Sequence, residues 1–265
     1  MCRAPRAGAA KTRLVPPLMH AEAAALSACF LRDTAENIAA AGAIEEVRAA
    51  GGAAGVVVFT PADAGDVFAE LLPASFRLLA QRGADLTARL RHATDDLLRA
   101  GYETLCLMNA DSPTLPQATL AAAIKELARA GDRVVLGPAR DGGYYLIGLK
   151  RAHVRLFEGI EWSTERVLAQ TRARAAELGL EVSLLPEWYD VDDAAALARL
   201  CAELFAARGV ERNELPRATA DKLCVSAVEL CGYAAPHTRA YLESLFAREG
   251  RGRIWPAGDG DESSA

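Results

Sequence analysis

The run Leu105-Cys106-Leu107-Met108-Asn109-Ala110-Asp111-Ser112-Pro113-Thr114-Leu115-Pro116 decides how the chain is read. Its first residues are apolar without alternation, the pattern of a strand covered on both faces, as in a parallel sheet. The run stops at Asp111, and Pro113 forces the residue before it into extended backbone, so the chain turns away. Open α/β sheets gather ligand groups outside the carboxyl ends of their strands, which is where Asp111 falls. A carboxylate there suits a divalent cation held against phosphate oxygens. The same residues also fit a helix start, with Asp111 or Ser112 as cap and the prolines as punctuation.

Outward from this run, strands and helices alternate. Gly55–Thr60, Phe76–Ala80, Arg133–Pro138, Tyr144–Leu149 and Glu181–Leu185 read as strands. Residues 18–47 (broken near Gly42), 87–99, 117–129, 165–177 and 192–207 read as helices, with Ser163 or Thr164 capping the fourth. Alternation of this kind predicts an α/β fold with a mainly parallel sheet flanked by helices. The main domain is expected over 1–210 and a short helical appendage over 211–250, with helices near 218–231 and 236–248. A disordered polar tail is expected over 251–265. Residues 1–14 read as a basic loop rich in small residues, with Met1-Cys2 as the stub of a truncated first strand.

Composition narrows the function classes. The 265 residues are 51% hydrophobic and 25% charged with net charge −5, an ordinary globular balance without the basic face that nucleic acids require. Phosphate binding on an acidic chain needs a local site, which points to a small nucleotide. Cys2, Cys29, Cys106, Cys201, Cys224 and Cys231 form no C-x-x-C pair, so free buried thiols in a reducing cytoplasm are expected. His20, His92, His153 and His237 lack metal-ligand spacing. No run approaches a membrane span or a signal-peptide core.

Four clusters fall at strand-to-helix connections. Gly8, Lys11 and Arg13 combine a backbone able to approach an anion with the charge that phosphates need, though they also fit a solvated basic loop. Asp111-Ser112 is the second. Asp141-Gly142-Gly143-Tyr144-Tyr145 is the third: the glycines leave room for a ligand and Asp141 would accept from sugar hydroxyls, while Asp-Gly also makes a hairpin turn. In Tyr189-Asp190-Val191-Asp192-Asp193, alternation would point Asp190 and Asp192 to one side, toward one cation; a helix cap is the alternative. Mg²⁺ needs only one or two protein carboxylates, so Asp111 with Asp192 or Asp190 would suffice. Asp85 and Trp162-Ser163-Thr164 are secondary binding candidates, with Trp162 also readable as core.

Taken in order, Pro5, Gly8, Lys11-Thr12-Arg13-Leu14, Asp111-Ser112-Pro113-Thr114-Leu115-Pro116, Gly137-Pro138, Asp141 to Gly148, Trp162-Ser163-Thr164 and Asp190-Val191-Asp192 resemble the bacterial DUF2064 family. The resemblance spans about residues 1–205 and departs at Met108-Asn109-Ala110, where the family has a glycine and a serine. It implies the three-layer, Rossmann-like GT-A fold of nucleotide-diphospho-sugar transferases, in a family labelled as glycosyltransferases of arsenosugar or selenium gene clusters.

Three functions are weighed. The first is an Mg²⁺- or Mn²⁺-dependent nucleotidyltransferase: Asp111 and Asp192 hold the metal, Lys11 and Arg13 hold the triphosphate, and a small phosphate- or phosphonate-like acceptor attacks. Asp-x-Pro after the central strand resembles the molybdenum-cofactor and phospholactate nucleotidyltransferases. The second is a glycosyltransferase using a nucleotide-sugar, with Asp141 near the sugar. The third is a non-catalytic nucleotide-binding protein.

Overall fold

The computed structural model describes residues 1–205 and 232–255. Seven strands and eight α-helices alternate among them. β2 (Val56–Thr60) is β-branched, bounded by Gly55 and Pro61, and runs parallel to β3 (Arg77–Ala80) and to the two-residue β1 (Cys2–Arg3). A second sheet has the order β4 (Leu105–Met108), β6 (Tyr144–Leu149), β5 (Arg133–Pro138), β7 (Glu181–Leu184). The Met1 amino group donates to the Met108 carbonyl at 2.7 Å and links β1 to β4.

β4, β5 and β7 share one direction, and β6 alone is reversed between β4 and β5. The strand that ends before Asp111 therefore pairs antiparallel with β6, where the apolar run suggested a parallel neighbour. Burial on both faces produces the same run in either case, so periodicity cannot report direction.

The helices cover both sides of the sheets. α1 (His20–Gly42) and α2 (Glu45–Ala49) make up the helical region over 18–47, with the break after Gly42 where the sequence suggested it. α1 packs with α5 (Gln117–Ala128), α7 (Ala194–Phe205) and α8 (Pro236–Glu249) around Leu26, Phe30, Leu120, Leu197 and Leu242. α4 (Leu86–Arg99) and α6 (Val167–Glu177) bury Leu90, Leu97 and Ala175 against the other face with Val134 and Ile147. α3 (Gly65–Leu71) closes the β2 side through Phe68, whose ring lies 5.0 Å from that of Phe59.

The expected helix over 218–231, with Cys224 and Cys231, lies outside the described residues. α8 matches the second expected helix and packs on α1. Its first turn is capped from α1: the Asp33 carboxylate accepts from the His237 and Thr238 backbone N–H groups at 3.0 and 2.8 Å. Asp33→Ala is expected to cost about 1–2 kcal/mol, the worth of a cap with two buried donors left unpaired, read as a lower urea midpoint at unchanged slope. Residues 251–255, expected within the disordered tail, form a turn instead, because Ile254 buries in the core and Trp255 packs beside Phe205.

Candidate functional site

The chain leaves β1 through a loop that folds back on itself, with the Arg6 carbonyl accepting from the N–H groups of Ala9 and Ala10. Gly8 takes φ +75° in that turn, a conformation that glycine adopts at no steric cost. Buried Leu14 and Leu18 anchor the far end of the loop, and Lys11 sits between in the left-handed region, at φ 50°. This backbone turns the Lys11 side chain inward, where only 7% of it is exposed.

Three oxygens surround the Lys11 ammonium: Asp111 Oδ1 at 2.5 Å, Asp192 Oδ1 at 2.7 Å and the Val191 carbonyl at 2.9 Å. The Phe30 ring lies beneath, its centroid 5.6 Å away. Arg13 reaches the second oxygen of Asp192 at 3.0 Å and stays 72% exposed, an open cation beside a buried one. Burial alone would lower the Lys11 pKa, but Asp111 and Asp192 outweigh it and hold the group above its ordinary value. Burial likewise opposes ionisation of Asp192, and Lys11 with Arg13 more than offsets it, so that carboxyl lies below its usual range.

The loops bearing these carboxylates are tied together. The Val191 N–H donates to the Asp111 carbonyl at 2.8 Å. Ser112 Oγ and Asn109 Nδ2 donate to the two oxygens of Asp190 at 2.6 and 2.9 Å. From α1, Asn37 donates to the Leu115 carbonyl at 2.7 Å, and Tyr189 is held by Thr114 and Glu203 with Arg199 over its ring. Asp190 and Asp192 flank buried Val191, as alternation suggested, but they divide the work: Asp192 faces the cations and Asp190 faces neutral donors.

Burial raises Asp190 to about 6; the Ser112 hydrogen bond opposes this, and the charges of Asp111, Asp192 and Asp141 add to it. Because the folded value exceeds the unfolded one, ionised Asp190 costs stability as pH rises from about 4 to above 6. Asp190→Asn removes that cost. The variant's stability relative to the parent is expected to rise by about 3 kcal/mol between pH 4 and pH 7, measured by denaturant titration at both values.

The other sequence candidates are placed differently. Thr12 lies exposed in the helical turn between Lys11 and Arg13. Asp85 accepts from the Ala88 N–H at 2.8 Å and caps α4, taking no part in the Lys11 cluster. Asp141 makes the β5–β6 turn, accepting from the Gly143 N–H at 2.9 Å. Gly142 has φ +84°, and a Cβ there would stand 2.2 Å from the Glu165 carbonyl oxygen, so only glycine fits. That contact seats the Trp162-Ser163-Thr164 turn on the hairpin, with Ser163 at φ 64° and the Thr164 hydroxyl donating to the Glu161 carbonyl. Tyr144 and Trp162 pack edge to face at 6.4 Å, and Trp162 Nε1 donates to Thr87 at 2.8 Å; both rings are partly buried against the core. Thr164 does not cap α6 directly, since that helix begins three residues later, at Val167.

Two features escaped the sequence reading. Asn109 is one, although a polar amide ending an apolar strand is its signal. Asp33, Glu36 and His237 are the other: their ligand atoms lie within 4.8 Å of one another, with His237 Nε2 2.7 Å from Glu36. No local spacing could show it, because His237 comes from α8. Among the described residues Asp111, Asp190 and Asp192 form no such three-carboxylate group; the pair that shares a cation position is Asp111 with Asp192. Cys2, Cys29, Cys106 and Cys201 are free thiols, and burial pushes Cys106 and Cys201 up to about 12. No described helix is long and apolar enough to cross a membrane.

Residues 43–164 match DUF2064, a family described as uncharacterized protein conserved in bacteria. The motif resemblance and the family match agree. The DUF2064 segment takes in the Asp111 and Asp141 loops and lies between Lys11 and Asp190 in sequence. A crystal structure from Desulfovibrio desulfuricans G20, provisionally described as a nucleotide-diphospho-sugar transferase, is similar over 93% of each chain, with 28% identity and a TM-score of 0.71. The fold is therefore the three-layer α/β fold that the motifs implied. CMP:2-keto-3-deoxy-manno-octonic acid synthetase complexed with CTP is 11% identical over 65% of this chain and 86% of its own, at a TM-score of 0.43 that carries no argument. A comparison with curated proteins finds no match.

Proposed function

We propose that the chain is a nucleotide-utilising transferase, and specifically a divalent-metal-dependent nucleotidyltransferase. One observation carries this reading: two carboxylates from separate strand ends, Asp111 and Asp192, converge on one cation position beside the exposed guanidinium of Arg13. Hard carboxylate oxygens on a shared cation suit Mg²⁺ or Mn²⁺, with phosphate and water completing the shell. A metal held by Asp111 and Asp192 would polarise a phosphoryl oxygen of the nucleoside triphosphate and offset its charge.

The chain's own residues do the rest. Arg13, open to solvent, takes β- or γ-phosphate oxygens as charge-assisted hydrogen-bond acceptors. Lys11, turned inward by its backbone and buried behind Arg13, neutralises charge as it develops. Asp190, through Ser112 and Asn109, fixes the loop that carries Asp111. An oxygen of a small phosphate- or phosphonate-like acceptor attacks the α-phosphorus; the bond to the bridging oxygen breaks, and pyrophosphate leaves with that oxygen. Such a reaction asks for positioning and charge neutralisation more than for a protein nucleophile.

The glycosyltransferase reading keeps one observation of its own, the similarity over 93% of both chains to the provisionally described nucleotide-diphospho-sugar transferase. Pyrophosphate release separates the two. Incubation with each NTP, Mg²⁺ and inorganic phosphate or a phosphonate is expected to release pyrophosphate with at least one base. No release from any NTP, together with thermal stabilisation by UDP- or GDP-sugars alone, would replace the proposal with glycosyl transfer.

A further inference from the structure

Where α1 meets α8, three metal-ligating side chains converge at the edge of the helix interface. Asp33 and Glu36 stand three residues apart on α1, a spacing that puts both on one helix face. His237 reaches them from the first turn of α8. One ligand atom from each residue lies within 4.8 Å of the other two, with His237 Nε2 2.7 Å from Glu36 Oε1. The cluster shares no residue with the Lys11 site.

Asp33 is already oriented. It is fully buried, and each of its oxygens accepts one backbone N–H, from His237 at 3.0 Å and from Thr238 at 2.8 Å. A carboxylate offers about four lone-pair sites, so those two bonds fix its direction and leave both oxygens able to accept again. The Thr238 hydroxyl is a second, separate sign of a ligand. It is fully buried and directed at the Asp33 carboxyl without reaching hydrogen-bond geometry, and among the described residues it has no other partner. Buried hydroxyls are nearly always paired. A water carried by a cation at this point would supply the donor that Thr238 lacks.

We propose that Asp33, Glu36 and His237 bind a divalent cation of the Zn²⁺ class, at a position separate from Asp111 and Asp192. An imidazole nitrogen with two carboxylate oxygens favours Zn²⁺ over Mg²⁺, which prefers oxygen ligands and keeps most of its waters. Tetrahedral ligands about 2.1 Å from Zn²⁺ stand roughly 3.4 Å apart. His237 and Glu36, with side chains 35% and 43% exposed, are free to open from 2.7 Å to that spacing. The cation takes the place of the Nε2 proton, and the ring binds as the neutral tautomer with its proton on Nδ1. Water fills the fourth position from the solvent side. The bound cation fastens α8 to α1, across 201 positions of sequence.

The test titrates the chelator-treated full chain with Zn²⁺, and with Co²⁺ as a visible probe, in excess Mg²⁺. Zn²⁺ at about a hundred times its Kd is expected to raise Tm by about 5 °C or more, and Co²⁺ to give d–d absorption that saturates at one equivalent. His237→Gln and Glu36→Gln leave the Asp33 cap on the α8 backbone in place, so both variants should fold. Each is expected to weaken Zn²⁺ binding by about tenfold or more and to remove the Co²⁺ absorption. Asp111→Asn is expected to keep both signals, which separates this position from the Lys11 site. A parent without a Zn²⁺-dependent shift, or a shift of equal size in parent and both α1–α8 variants, would overturn the proposal. Loss of the signals in Asp111→Asn alone would overturn it too, because the cation would then sit beside Lys11.

Discussion

Asp111→Asn is expected to lower metal-dependent pyrophosphate release by about 10²- to 10³-fold, the usual loss when one preorganised electrostatic partner leaves a reacting phosphate or acyl group. The change keeps shape and removes charge. Lys11 loses the charge of its nearest carboxylate, at 2.5 Å, and the shared cation position keeps a single carboxylate, that of Asp192. The backbone bond from Val191 to the Asp111 carbonyl does not involve the side chain, so the loop stays in place. Steady-state rates over a range of Mg²⁺, with circular dichroism to confirm folding, make the check. Turnover within tenfold of the parent would sink the assignment of Asp111.

Lys11→Met is expected to act in two opposite directions. Without the ammonium, Asp111 and Asp192 face each other across an empty position, and the Met stem still covers Phe30. Removing one partner of a buried pair is costly, but both carboxylates are more than a third exposed and water screens them. The metal-free variant should therefore lose about 1–3 kcal/mol. Mg²⁺ should recover that loss, raising Tm more in Lys11→Met than in the parent, because the ammonium no longer competes for the same oxygens. Turnover should nevertheless fall about 10²-fold for want of the cation that meets the phosphates. A thermal shift with Mg²⁺ no larger than the parent's would show that Lys11 and the metal do not share a position.

Much of the fold was legible because strand and helix periods are local. The valine run before Pro61, the apolar run before Asp111 and the alanine-rich helices each declare themselves within a dozen residues. Strand ends were legible too, through their Gly, Pro and Asp. The direction of β6 was not, since a strand buried on both faces looks alike whichever way it runs. The partners of Tyr144 and Trp162, two partly buried rings that pack on one another, were not legible either, because an aromatic beside a glycine turn serves packing and binding equally well in sequence.

By itself the sequence determined the α/β alternation, the family resemblance and the residue types at each strand end, for these are properties of neighbouring residues. Tertiary structure alone decided the partners. Lys11 meets Asp111 and Asp192 across 100 and 181 positions, Asp190 turns instead to Asn109 and Ser112, and Asp33 caps a helix 204 residues away. Such pairings follow from where the strands end in space, and no local period encodes that.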